Sequence, residues 1–238
     1  MLQNTQAIIF DLDGTLVDSM WLWNDIDIEF LEARGLTLPE TYQHDIEGMS
    51  FTETAIYTKE LFRLPESVDE LKTIWNRMAI EKYTYEVPFK PGAEKFLRYC
   101  KGQRIAMGIA TSNSRELVNA VVQALQLDNY IQEIVTSCEV EKGKPAPDVY
   151  LEAAKRLGIS PEHCLVFEDV PMGILAGKNA GMRVCAVEDA FSEDKQAEKR
   201  RLADYYISSY EQVLNHTYEM QASTKLTQIP QQKCIRQA

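Results

Sequence analysis

Residues 7–15 read A-I-I-F-D-L-D-G-T, an apolar run closed by two acids and a glycine. Ala7–Phe10 has the length and β-branched content of a fully buried strand. Alternation within D-L-D sets Asp11 and Asp13 on one side and Leu12 on the other. Two adjacent acids at the end of a buried strand are electrostatically costly unless a cation or a substrate compensates them. Gly14 frees the backbone to turn and lets amides approach a ligand closely. The same letters also fit a solvated turn, because D-G is a common turn signal. The rest of the chain has to decide between the two.

Three further runs repeat the pattern: Ile105–Ala110, Cys164–Phe167 and Val184–Val187. Helical stretches separate them. One spans Ala93 to about Lys101, one follows Asn113-Ser114, and one follows Pro147-Asp148 and ends near Gly158. Strand and helix in alternation predict βαβ units, hence an α/β protein with a parallel sheet. Such sheets bind ligands at the carboxyl ends of their strands, near the point where strand order reverses.

Residues 17–87 break the rhythm, being helical throughout with Gly35, Pro39, Gly48 and Pro65 as punctuation. They predict a small helical domain inserted after the first strand. The core is then 1–16 and 88–216, with candidate hinges near Val17 and Pro88. Residues 217–238 are polar, rich in Gln and without periodicity, so a loosely held tail is expected.

Three more segments end predicted strands or fill the loops after them. Thr111-Ser112-Asn113 closes the second strand and opens a helix, where a hydroxyl and N-terminal amides can receive a phosphate oxygen; an ordinary N-cap reads the same way. Gly143-Lys144-Pro145-Ala146-Pro147-Asp148 holds one Lys in a stiff loop, either as a fixed positive charge for a phosphoryl group or as a surface lysine. Glu168-Asp169 ends a buried run, offering hard oxygen ligands of the kind magnesium takes, or simply a helix cap. Each segment is weak alone. Their shared placement at one end of a parallel sheet is what a single site requires.

The order D-L-D-G-T, T-S-N, G-K-P-A-P-D and F-E-D, with A-G-M at Ala180–Met182, resembles the haloacid dehalogenase superfamily. Within it the chain is similar to the phosphatase and β-phosphoglucomutase-like branch, over roughly residues 6–210. The resemblance implies a doubly wound core with the site beneath a helical cap. It implies that Asp11 attacks the phosphoryl group to give an aspartyl phosphate, while Asp13 protonates the leaving oxygen and later takes a proton from water. Ser112 would hold a phosphoryl oxygen, Lys144 would neutralise charge, and Asp11, the Asp13 carbonyl, Asp169 and Glu168 would attend to magnesium. Thr15 and Asn113 are expected among the substrate-binding residues.

Departures narrow the expected reaction. Val170 stands where the family often has Ser after the last acids. Trp23 occupies the position of a β-phosphoglucomutase His, and Phe51, after Gly48-Met49-Ser50, that of an Arg. A mutase must grip a second phosphate, usually with a cationic clamp. Residues 17–87 carry 15 Asp and Glu against six Lys and Arg, nearly all of the chain's net charge of −11. D-S-x-x-L-W (Asp18–Trp23) instead resembles the sugar-phosphate phosphatases of this branch. Trp21 or Trp23, being two apart on a helix, can face the substrate singly but not together. Met49 and Arg77 complete the expected cap contacts. A magnesium-dependent sugar-phosphate phosphatase is therefore expected, with a sugar phosphomutase as the alternative.

The same composition opposes nucleic-acid binding, which needs Lys and Arg against phosphates. No apolar run nears the ~20 residues that span a bilayer. Five scattered cysteines without C-x-x-C spacing suit reduced thiols in the cytoplasm. A monomer acting on a small phosphorylated metabolite is expected.

Overall fold

A computed structural model describes residues 1–46 and 51–221. Chain order is β1 (Ala7–Phe10), α1 (Leu22–Glu32), α2 (Tyr42–Asp45), α3 (Phe51–Phe62), α4 (Val68–Tyr85), α5 (Ala93–Gly102), β2 (Ala106–Thr111) and α6 (Arg115–Ala124). It continues through β3 (Glu133–Thr136), α7 (Asp148–Leu157), β4 (Cys164–Glu168), α8 (Pro171–Asn179), β5 (Arg183–Val187), α9 (Gln196–Leu202), β6 (Tyr205–Ile207), α10 (Glu211–Leu214) and β7 (Glu219–Met220). The strands form one sheet in the order β3-β2-β1-β4-β5-β6-β7. Every pairing is parallel except that of β7 on β6. The chain leaves β1 toward β2 and β3, then returns to β4 on its other side, so the order reverses beside β1. That crevice is where such sheets bind ligands.

Alternation along the strands builds two apolar layers. Ile8, Phe10, Leu165 and Phe167 face one side, packed with Phe96 and Leu97 of α5, Leu117 and Val118 of α6 and Val213 of α10. Ala7, Ile9, Val166 and Val184 face the other, against Val149 and Ala153 of α7, Ile174 of α8 and Leu202 of α9. Helices on both faces of a parallel sheet make the core doubly wound, as expected. Phe10, Phe96, Phe167 and Tyr210 pack together with ring centroids 5.2–6.3 Å apart, Phe10 and Phe167 at the carboxyl ends of β1 and β4.

The inserted helices α1, α3 and α4 share the first of these layers through Leu22, Ile26, Phe30, Ala55 and Trp75. α4 starts at a capping box, where Glu70 N donates to Ser67 Oγ and Ser67 N to Glu70 Oε2. It then packs on α6, the helix that opens after Thr111-Ser112-Asn113. The two crossings lie side by side: Asp18 N donates to Pro88 O at 2.9 Å and Lys90 N to Leu16 O at 3.0 Å. The buried Lys90 ammonium, 2.8 Å from Asp189 and 3.9 Å from Asp18, ties both crossings to the loop after β5.

The polar tail is ordered over its first residues, contrary to expectation. β7 adds an antiparallel edge, Tyr218 packs edge-on against Tyr205, and its hydroxyl accepts from the terminal amine of Met1 at 2.5 Å. Two aromatic and apolar side chains among polar residues suffice for an edge strand but leave no periodic signal. Residues 222–238 lie outside the described residues.

Candidate active site

The ends of β1, β2 and β4 and the loop before α7 bring the expected residues to one place. Asp11 follows β1, and its amide donates to Phe167 O of β4 at 2.9 Å. The loop Gly143–Pro147 is fixed by Ala146 N on Gly143 O and by Asn179 Nδ2 on Pro145 O, each at 3.0 Å. From it the buried Lys144 ammonium reaches Asp11 Oδ1 at 2.5 Å and Glu168 Oε1 at 2.6 Å. Asp169 accepts the Thr15 hydroxyl at 3.0 Å. Behind it, Lys199 donates to Ser192, whose hydroxyl donates to the Asp169 carbonyl.

Carboxylate oxygens of Asp11, Glu168 and Asp169 lie within 4.8 Å of one another, and all three residues are buried. Among the described residues, Lys144 is the ammonium paired with Asp11 and Glu168. Burial raises the Asp11 carboxyl well above its ordinary range, and Glu168 and Asp169 add to this despite Lys144. Burial, then Glu168, pushes Asp169 up to about 8. Lys144 is held in its charged form, because Asp11 and Glu168 outweigh its desolvation. A buried oxygen cluster with surplus negative charge fits a hard divalent cation.

Glu168 has less freedom than the other two. Oε1 also accepts from Tyr150 at 2.9 Å, and Oε2 accepts the amides of Asp169 and Val170 at 3.0 and 3.3 Å. Expected as a metal residue, it belongs to the oxygen cluster and also holds Lys144 in position. A Cβ on Gly173, in α8, would stand 1.7 Å from Glu168 Oε1. Helix propensity favours Gly→Ala by ~1 kcal/mol, yet Gly173→Ala is expected to destabilise by about 1–3 kcal/mol through overpacking. Thermal unfolding together with activity measures the shift, since displacing Glu168 also displaces Lys144. Gly14 is bound by both rules, with φ +74° and a hypothetical Cβ 2.5 Å from Asp169 Oδ2.

Asp13 lies beyond the end of β1, so strand alternation no longer governs it. Its carboxylate turns toward the inserted helices, accepting from Ser19 at 2.7 Å, Asn113 Nδ2 at 3.0 Å and the Tyr83 hydroxyl. The Asp13 carboxylate is not part of the Asp11–Glu168–Asp169 oxygen cluster. Tyr83 also accepts from Asn113 at 2.9 Å, which ties α4 to the core loop.

Above Asp13 opens a cavity of about 530 Å³. The core supplies Asp13, Ser112, Asn113 and Ser114; the helices supply Trp23, Asp27, Gln43, Phe51, Trp75 and Asn76. Trp23 therefore lines it, whereas Trp21 donates its indole N–H to Asp18 O and lies under Lys82. Two expected contacts need correction. Arg77 is exposed and absent from the lining, because it sits about 100° further round α4 than Asn76. Thr15 is buried with its hydroxyl given to Asp169 and is absent from the lining, so its side chain supports that acid. Met49 lies outside the described residues.

Sequence reasoning missed Ser19, Tyr83, Tyr150 and Asp27. Tyr83 follows Trp75 and Ala79 at helical spacing and reads as core. Asp27 reads as a surface acid, but it is only 7% exposed. Burial lifts its carboxyl from 3.8 to about 6, partly opposed by the Gln43 hydrogen bond. A raised folded-state value means stability present below pH 3.8 and lost as pH rises through 6. At ~1.36 kcal/mol per unit the ionised acid costs on the order of 3 kcal/mol. Asp27→Asn should unfold at a higher denaturant midpoint than wild type at pH 8, with the gain vanishing near pH 4.

The haloacid dehalogenase-like hydrolase family matches residues 8–187. A phosphatase from Drosophila melanogaster, provisionally named a pseudouridine-5'-phosphatase, is 33% identical over 79% of this chain and 84% of its own. The phosphorylated carbohydrates phosphatase of Thermotoga maritima is 28% identical over 80% and 88%. A solved structure from Thermotoga maritima, provisionally named a β-phosphoglucomutase, superposes with TM-score 0.79 at 27% identity, covering 89% of this chain and 98% of that one. The chain belongs to the haloacid dehalogenase-like hydrolase family. It is an enzyme of the phosphoric monoester hydrolase type, in keeping with its phosphatase relatives. No helix among the described residues is long and apolar enough to cross a membrane.

Proposed function

We propose that the enzyme hydrolyses a small phosphorylated metabolite, a sugar phosphate by class, through an aspartyl phosphate on Asp11 with magnesium as cofactor. The observation that carries this reading is the buried Asp11 carboxylate, 2.5 Å from the Lys144 ammonium and grouped with Asp169. Asp11 and Asp169, with the Asp13 carbonyl, would hold the ion. When bound, magnesium would supply positive charge to the cluster and to the phosphate oxygens.

The chain's own residues do the rest. An Asp11 oxygen attacks phosphorus as the bond to the leaving oxygen breaks. Asp13 gives that oxygen its proton, so the organic product leaves as a neutral alcohol. Water then attacks phosphorus, Asp13 takes its proton, and the Asp11 carboxylate is released with inorganic phosphate. Ser112, exposed at the cavity edge, and the amides opening α6 receive phosphoryl oxygens. Ser19, Tyr83 and Asn113 aim Asp13 at the cavity while it exchanges protons.

Water is favoured as acceptor over a second sugar. The described cavity lining contains no Lys or Arg to grip a distal phosphate. Phe51, where the resembling mutases carry Arg, packs edge-on against Trp23 with centroids 5.6 Å apart. Phosphate release should follow magnesium addition over a panel of sugar and short-acid monophosphates, and a chelator should abolish it reversibly. Isomerisation of a hexose 1-phosphate without free phosphate would contradict the reading.

A further inference from the structure

We propose that Asp27 determines substrate specificity, as the acceptor for hydroxyl groups of a polyhydroxylated leaving group and as the charge that turns away a second anionic group. The assignment rests on the phosphatase reading and names the substrate class of that site.

The observations concern the cavity wall that α1 supplies. Asp27 lies one helical turn beyond Trp23 on α1, so both side chains project from one face into one cavity. Asp13 and Asp27 are the only described charged residues lining it, and both are acids. Asp13 is engaged by Ser19, Tyr83 and Asn113, within the machinery already described. Asp27 has no such engagement. Among the described residues its one hydrogen-bond donor is the Gln43 amide, 3.1 Å from Oδ2, and no cation lies against it. A carboxylate with four lone-pair sites can accept several more donors. Burying an acid in this state weakens the fold, as the raised carboxyl value attests. Such a group persists where function uses it.

The chemistry that satisfies this wall is specific. Trp23, Phe51 and Trp75 offer apolar ring surface beside the carboxylate. A sugar or polyol presents C–H faces to such rings and hydroxyl donors to an acid. A second phosphate, or a distal carboxylate, would instead meet a like charge in a poorly solvated space. The cavity, about 530 Å³, lies within the range of small-ligand sites.

The test compares kcat/KM for a hexitol or hexose monophosphate, the matching bisphosphate and phenyl phosphate, in wild type and in Asp27→Asn. Phenyl phosphate carries no hydroxyl, so the ratio to it cancels differences in active fraction. The Asn variant is expected to be more stable than wild type at pH 8, so it reports on recognition and not on misfolding. In wild type the monophosphate should exceed the bisphosphate by about 10²-fold or more. In Asp27→Asn the sugar-to-phenyl ratio should fall by about 10-fold or more, and the monophosphate-to-bisphosphate ratio should narrow. An unchanged sugar-to-phenyl ratio, or a wild-type preference for the bisphosphate, overturns the assignment while leaving the hydrolase reading intact. No phosphate release from any of the three by wild type with magnesium overturns both.

Discussion

Asp11→Asn is expected to lower phosphate release by on the order of 10³-fold or more, while leaving the protein at least as stable as wild type at pH 8. The amide keeps the shape of the carboxylate and cannot form the acyl phosphate, so the loss is one of nucleophile and not of fold. The stability half follows from the electrostatics. Burial holds the Asp11 carboxyl above its ordinary 3.8, with Glu168 and Asp169 adding to the strain. A folded-state value raised in this way contributes stability that is present below pH 3.8 and lost as pH rises. Removing the charge therefore relieves the native state at pH 8 and changes little near pH 3. Steady-state kinetics with denaturant midpoints at both pH values check the pair of outcomes. Retained activity would exclude Asp11 as nucleophile.

Lys144→Met acts in the opposite direction on stability. Met fills the stem's volume without its charge, leaving Asp11 and Glu168 buried with no cation against them. Removing one partner of a buried pair typically costs 3–5 kcal/mol, because the remaining charge is stranded. Here one ammonium serves two carboxylates, which places the expectation for about pH 8 at the upper end. The penalty should shrink toward pH 5, because Asp11, whose carboxyl burial already raises, can retain a proton instead of charge. Activity should fall as well, since nothing else among the described side chains of the cluster neutralises the attacking carboxylate. Urea unfolding at the two pH values measures the first effect. Equal destabilisation at both would show that Lys144 acts through packing alone.

Much of the core was legible because its strands are buried on both faces. A-I-I-F, I-A-M-G-I-A, C-L-V-F and V-C-A-V are continuous apolar runs, and β1, β2, β4 and β5 fall on them within one residue at each end. β3 and β6 were not legible. Glu133–Thr136 contributes only Ile134 and Val135, and Tyr205–Ile207 is three residues long, so neither gives a pattern to detect. In the site, Asp11, Lys144, Glu168 and Asp169 meet because each sits at a strand end or in a loop after one. What spacing could not convey is how partners divide among these residues. Glu168 carries Lys144 and Tyr150, Thr15 carries Asp169, and Asp13 faces the helices because its backbone has already left the strand. On the helical side a two-residue step reverses a side chain's direction, which separates Trp23 from Trp21. Asp27 was illegible for another reason: an acid in an acidic helix looks solvated, and only its burial reveals a role.

The phosphoenzyme itself offers the most direct measurement. Protein quenched in acid during turnover of a sugar monophosphate with magnesium, then digested and weighed, should carry one added phosphoryl mass on the peptide containing Asp11. Asp13→Asn, supplied with p-nitrophenyl phosphate so that the departing oxygen needs no proton, should carry more of it, because the water that clears the intermediate has lost its base. A phosphoryl group on any other residue, or none in either protein while phosphate is released, would contradict catalysis through Asp11.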